Sequence, residues 1–139
     1  MKITAEDLKS VRTWKMQVER ETEAVQRLRA EIESVTARLL ETGGCGAGAQ
    51  KDKLASFVAR LEVLEEKRSA AVLEYEGRVQ AVESWIATLP KTQAQVISAR
   101  YLEDFRGWPW LARKMNISID GAFTARRRAL KRLPCEIQP

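Results

Sequence analysis

The run AEDLKSVRTWKMQVERETEAVQRLRAEIESVTARLLET, residues 5–42, contains neither proline nor glycine. Within it Val11, Val18, Val25, Ile32 and Leu39 recur at an unbroken spacing of seven, and Trp14, Glu21, Leu28, Val35 and Thr42 stand three places after them. Alternating steps of three and four keep both sets on one side of a helix, so the run predicts a single long helix with a coiled-coil stripe and one polar gap at Glu21. Thr4 ahead of Ala5-Glu6-Asp7 supplies an N-cap, with acids where the helix dipole favours them.

Gly43-Gly44-Cys45-Gly46-Ala47-Gly48 follows, with four of the seven glycines of the chain in six positions. Such a cluster predicts a loop over 43–49, since glycine is the poorest helix and strand residue after proline. A phosphate-cradling loop would need a Lys-Ser/Thr ending and a preceding strand, and neither is present. Beyond the loop, residues 51–88 keep a three-four spacing through Leu54, Phe57, Leu61, Leu64, Ala71, Tyr75, Val82, Trp85 and Leu89, with Gly77 as the weak point. Both helices would be on the order of 55 Å long at about 1.5 Å per residue. They match well enough to form an antiparallel helical hairpin, a coiled coil over residues 1–89. Two helices leave part of each apolar stripe uncovered, so self-association, as in a four-helix arrangement, is expected of the hairpin. Trp14 and Trp85 lie on these stripes as packing residues.

Leu89-Pro90 ends the second long helix, because proline disfavours helical backbone in the residue before it. A second domain is expected over 90–139. Thr92-Gln93-Ala94-Gln95 fits a capping box for a short helix ending near Glu103-Asp104. Gly107 opens a helix from Trp108 to Lys114, with Pro109 tolerable in its first turn. Asn116 is suited to a left-handed turn, Ser118 to an N-cap, and a last helix, 119–133, runs to Pro134. Trp108 and Trp110, with Leu111, read as core. The order is short helix, helix, tight turn, basic helix, and the fold class expected of the whole chain is all-α.

Leu89-Pro90, Val96, Arg100-Tyr101-Leu102-Glu103, Leu111-Ala112, Met115-Asn116-Ile117-Ser118 and Ala129-Leu130-Lys131-Arg132-Leu133 together resemble the C-terminal helix-turn-helix of bacterial sigma factors. More closely they resemble the sigma-like transcriptional activators of phages and prophages, which carry a Trp near Trp108 or Trp110. The likeness covers about the last third of the chain. It implies that Ser118 begins the recognition helix and that Ala122, Ala129, Leu130 and Leu133 pack inward. It also implies that Ile119, Asp120, Gly121, Phe123 and Thr124 lie nearest the base edges. The chain departs from the pattern in two places: Asp104-Phe105-Arg106-Gly107 is one residue longer than the usual loop, and Ile119-Asp120-Gly121 stands where basic residues are usual. Asp120 suits a cytosine amino group and Phe123 or Ile119 thymine methyls, which would specify a different sequence.

Charge points the same way without the resemblance. The net +5 divides unevenly: residues 1–89 hold 14 Lys+Arg and 15 Asp+Glu, and residues 90–139 hold 10 and 4. Between Arg113 and Arg132, seven basic residues face one acid, Asp120. Lys114, Arg126, Arg127, Arg128 and Lys131 are therefore candidate phosphate contacts. With no histidine, no CxxC and no carboxylate pair placed in a pocket, nothing points to catalysis, a metal, a cofactor or a small-molecule substrate. No apolar run is long enough for a membrane span and the N-terminus is not a secretory signal, so a cytoplasmic protein of a bacterium or phage host is expected, with Cys45 and Cys135 reduced. The expected function is a sequence-specific DNA-binding transcription regulator whose partner is double-stranded DNA, read by the helix 119–133, with the hairpin holding a second copy or a protein such as RNA polymerase. The alternatives are an architectural or packaging protein, such as the DNA-recognition subunit of a phage terminase, and a coiled-coil adaptor or antitoxin-like module.

Overall fold

A computed structural model describes residues 2–41 and 47–136. They form β1 (Lys2–Ile3), α1 (Ala5–Glu41), α2 (Ala47–Ile86), α3 (Lys91–Ile97), a π turn (Ser98–Leu102), α4 (Trp108–Met115), α5 (Ile119–Leu130) and β2 (Cys135–Glu136). The protein is thus helical, with two long helices first, as the periodicity predicts. Among the described residues the one sheet is the small antiparallel pair β1–β2, with Ile3 opposite Cys135. Among the described residues no helix is long and apolar enough to cross a membrane. The second helix starts at Ala47, within the loop expected over 43–49; Thr42 and the rest of that loop, Cys45 included, lie outside the described residues.

The chain divides into two compact units. One comprises residues 2–15 and 74–136, the other Met16–Leu73. The division differs from the expected boundary at 89/90, and the reason lies in the first unit's packing. Ile3, Leu8 and Val11 from the chain start, Val82, Trp85 and Leu89 from the region of the α2 end, Ile97 of α3 and Ala129 of α5 form one buried cluster. Pro90 stops a helix there, but the apolar residues on either side of it face the same core.

In this unit Thr4 stands directly before α1 and its backbone carbonyl accepts from the Asp7 amide at 3.1 Å, while Asp7 reaches back: its Oδ2 accepts from the Thr4 amide at 2.8 Å and from the Thr4 hydroxyl at 3.2 Å. Arg78 gathers the neighbouring polar groups, donating from Nη1 to Ser10 Oγ at 2.8 Å while lying 3.7 Å from Asp7 Oδ1 and 5.8 Å over the Trp14 ring. Trp85, fully buried, is a core residue.

A second cluster, Val96, Ala99, Leu111, Ala122 and Ala125, lies on the other side of α3. Val96 and Ala99 face it, whereas Ile97, Tyr101 and Leu102 face the first cluster. The π turn adds a residue to one helical turn, and with it α3 and its extension serve both cores. Ala122, Ala125 and Ala129 form the inner face of α5, and their small side chains let its backbone approach closely. Burying a residue such as Leu111 contributes about 1.5–3 kcal/mol.

Two local expectations are corrected. The capping box at Thr92-Gln95 does not form: α3 begins at Lys91 with Pro90 as N-cap and no side-chain cap, and the Pro90 carbonyl accepts from the Ala94 amide at 2.8 Å. Proline already supplies the extended backbone that an N-cap needs, so the helix starts one residue before Thr92 could cap it. The last helix ends at Leu130, not Leu133; Lys131–Leu133 continue as tightened turns, with Arg132 and Leu133 amides bonded to Ala129 and Leu130 carbonyls.

In the second unit the two helices run antiparallel. Arg68 Nε donates to Thr22 Oγ1 at 2.9 Å and Arg29 Nη2 to Glu65 Oε1 at 2.7 Å, so partners descend along α2 as they ascend along α1. Val25, Leu28, Val35 and Ala71 are buried, while Val18, Ile32, Leu39, Leu54, Phe57, Leu61 and Leu64 are half-buried. Glu21, the gap in the stripe, accepts from Gln17 Nε2 at 2.8 Å.

Candidate nucleic-acid interface

The interface candidate is built from α4, a short turn and α5. Gly107, at φ 109°, turns the chain into α4, and Pro109 sits in the first turn, where its missing N–H leaves no hydrogen bond unmade. At the far end Asn116 adopts the left-handed conformation (φ 56°, ψ 46°). The Asn116 amide then donates to Arg113 O at 3.2 Å and the Ile117 amide to Ala112 O at 3.0 Å, satisfying carbonyls that the helix end would otherwise orphan. Ser118 is extended, and its Oγ accepts from the Gly121 amide at 2.9 Å, starting α5. Asn116 and Ser118 therefore act as the sequence predicts.

An aromatic group joins α4, α5 and the segment before α4. Phe105 meets Trp108 edge-on at 5.3 Å and Trp110 at 6.4 Å between centroids. Trp108 also packs on Phe123, 4.6 Å away and tilted 43°. Both tryptophans border the second core, in keeping with their reading as packing residues.

The outward side of α5 is a concave strip lined by Asp120, Phe123, Thr124, Arg126, Arg127, Leu130 and Lys131. Spacings of three and four place these residues on one side of the helix. Two large apolar residues are exposed there or beside it, Ile119 at 41% and Phe123 at 44%. Arg127, Arg128 and Lys131 are exposed, and among the described residues none of them makes an ion pair. The strip thus offers exposed cations next to apolar and hydroxyl contacts, with one carboxylate, Asp120, at its N-terminal end.

The predicted site residues do not all share this placement. Ile119, Asp120 and Phe123 are exposed and Thr124 is half-buried. Gly121 is half-buried and engaged in the cap, where a Cβ would stand 3.0 Å from Ser118 Oγ. Arg126 Nε donates to the Tyr101 hydroxyl at 3.2 Å and the guanidinium lies 5.8 Å over Trp108. Lys114 pairs with Glu103 and sits 5.1 Å over Trp110. These last two cations therefore hold α4 and α5 against neighbouring segments, unlike Arg127, Arg128 and Lys131. Sequence reading missed these ties, together with the inward face of Ala125 and the seat of Arg100 4.4 Å over Phe105. Tyr101 lies 25 residues from Arg126 and Glu103 lies 11 from Lys114, and no local spacing announces these two ties.

Asp104, next to this region, is bonded to Lys15 at 3.0 Å, and that hydrogen bond and charge hold its carboxyl below the usual range. Among the described residues no group of three or more His, Cys, Asp or Glu is placed to hold a metal. The chain matches no protein-family model, no curated protein and no solved structure.

Proposed function

We propose that the chain is a sequence-specific DNA-binding regulator of transcription, in which α4, the Asn116 turn and α5 act as a helix-turn-helix. α5 enters the major groove, with Ile119, Asp120, Phe123 and Thr124 toward base edges and Arg127, Arg128 and Lys131 toward phosphates. The observation that carries this reading is the outer strip of α5, where exposed apolar side chains and cations without ion-pair partners lie side by side on a helix anchored by its inner alanines. A face of that composition is complementary to methyl-bearing base edges flanked by phosphates. Gly121 acts through the cap, and Arg126 and Lys114 through the positioning of the helices. The long helices supply self-association or a seat for a protein partner such as RNA polymerase, and the protein performs no chemistry.

The test is a salt titration of DNA binding with the Arg127→Ala/Arg128→Ala double variant. Each lost phosphate contact lowers the slope of log affinity against log salt by about 1, so the variant should lose about 2. An unchanged affinity and slope would remove α5 from the interface. Selection of bound sequences from a random pool should return a common motif; random recovery would favour an architectural or packaging role.

A further inference from the structure

We propose that the outward stripe of α2 formed by Lys51, Leu54, Ala55, Val58, Ala59 and Glu62 is a homodimer contact, made by two copies of α2 running antiparallel about a two-fold axis between Ser56 and Phe57. These six residues line one shallow groove. Apart from half-buried Leu54 they are exposed, Val58 at 42%, and among the described residues neither Lys51 nor Glu62 has an ion-pair partner. The proposal rests on the reading that the long helices self-associate, and it assigns the surface.

The partner is identified by the symmetry of the stripe. Its members are spaced identically from either end, so a two-fold axis at the centre sets Lys51 opposite Glu62 of the second copy, Leu54 opposite Ala59, and Ala55 opposite Val58. Every large side chain then meets a small one, and each cation meets an anion at the rim, twice over because the contact is isologous. A parallel arrangement would set Lys51 against Lys51 and Glu62 against Glu62. An unrelated partner would have no need of opposite charges at matching distances from the centre. The stripe is short, so the dimer should be weak, with a Kd on the order of 10 µM.

Sedimentation equilibrium of the full chain without DNA, from about 1 to about 100 µM, measures the association. Lys51→Glu and Glu62→Lys should each weaken it roughly ten-fold, because each reversal sets like charges together at both ends. An equimolar mixture of the two variants should recover it, since every pair across the interface is again opposite in charge, and so should the double variant K51E/E62K. Circular dichroism monitors that helix content is unchanged. A dimer indifferent to the reversals, or one the mixture fails to restore, overturns the assignment of this stripe while leaving self-association standing. A chain monomeric throughout the range overturns both.

Discussion

Arg126 donates from Nε to the Tyr101 hydroxyl at 3.2 Å, joining α5 to the π turn. The bond places an apparent phosphate ligand in a structural role, and the two roles separate experimentally. Tyr101→Phe should lower stability to urea by about 1 kcal/mol. It should leave the salt slope of DNA binding as it was, whereas Arg127→Ala lowers that slope by about 1. Parallel denaturation and salt titrations of the two variants make the comparison.

The α5 cap gives a second prediction, in the form of a double-mutant cycle. Ser118→Ala removes the acceptor of the Gly121 amide and should cost about 1 kcal/mol in thermal unfolding. Gly121→Ala should gain helix propensity, up to about 1 kcal/mol, but its new Cβ would stand 3.0 Å from Ser118 Oγ. In the native background that crowding offsets the gain. With Ala at 118 the crowding oxygen is gone, so Gly121→Ala should stabilise more there than in the native chain.

A fragment of residues 90–139 should not fold to the native structure by itself. It lacks Ile3, Leu8, Val11, Val82, Trp85 and Leu89, which supply most of the first buried cluster. Its amide proton spectrum should be poorly dispersed and its melting uncooperative. In the full chain Trp85→Ala, far in sequence from α5, should cost about 3–5 kcal/mol and loosen the C-terminal helices. A well-dispersed spectrum from the fragment would refute the division of the chain into these two units.

That division marks the limit of what the sequence discloses. The long helices were legible because apolar residues recur at helical spacing through Val11, Val25, Leu28 and Val35, and these are buried. The Asn116 turn and the Ser118 cap were legible because each depends on a backbone preference of one residue and its near neighbours. The shared core was not, since Ile3, Trp85 and Ala129 carry no mark of one another. For the same reason the basic run announced a charged helix, but not that Arg126 turns toward Tyr101 while Arg127 stays exposed. Pro90 misled as a residue ahead of a capping box, and the two compact units divide elsewhere than at Pro90, because proline fixes local backbone and says nothing of what packs across it.

Acid should weaken one link of the first unit. Lys15 lowers the Asp104 carboxyl pKa through a hydrogen bond and its charge, with Arg106 adding a smaller pull. Since the folded value lies below the unfolded one, the stabilisation is complete above about pH 4 and is lost as pH falls through the lowered folded value. Lys15→Met should return the Asp104 titration, followed by carboxyl NMR, toward the ordinary range. The effect on overall stability should be small and confined to acid, because the pair is open to solvent.

The pairing of β1 with β2 sets an order on synthesis. Ile3 leaves the ribosome early, yet its strand partner Cys135 and its core neighbour Ala129 are made long after it. The first unit's core therefore stays open while both long helices and α3 are translated, with Leu8, Val11 and Trp85 uncovered meanwhile. Nascent chains arrested before residue 130 should be protease-sensitive in the same segments that become protected once β2 has emerged.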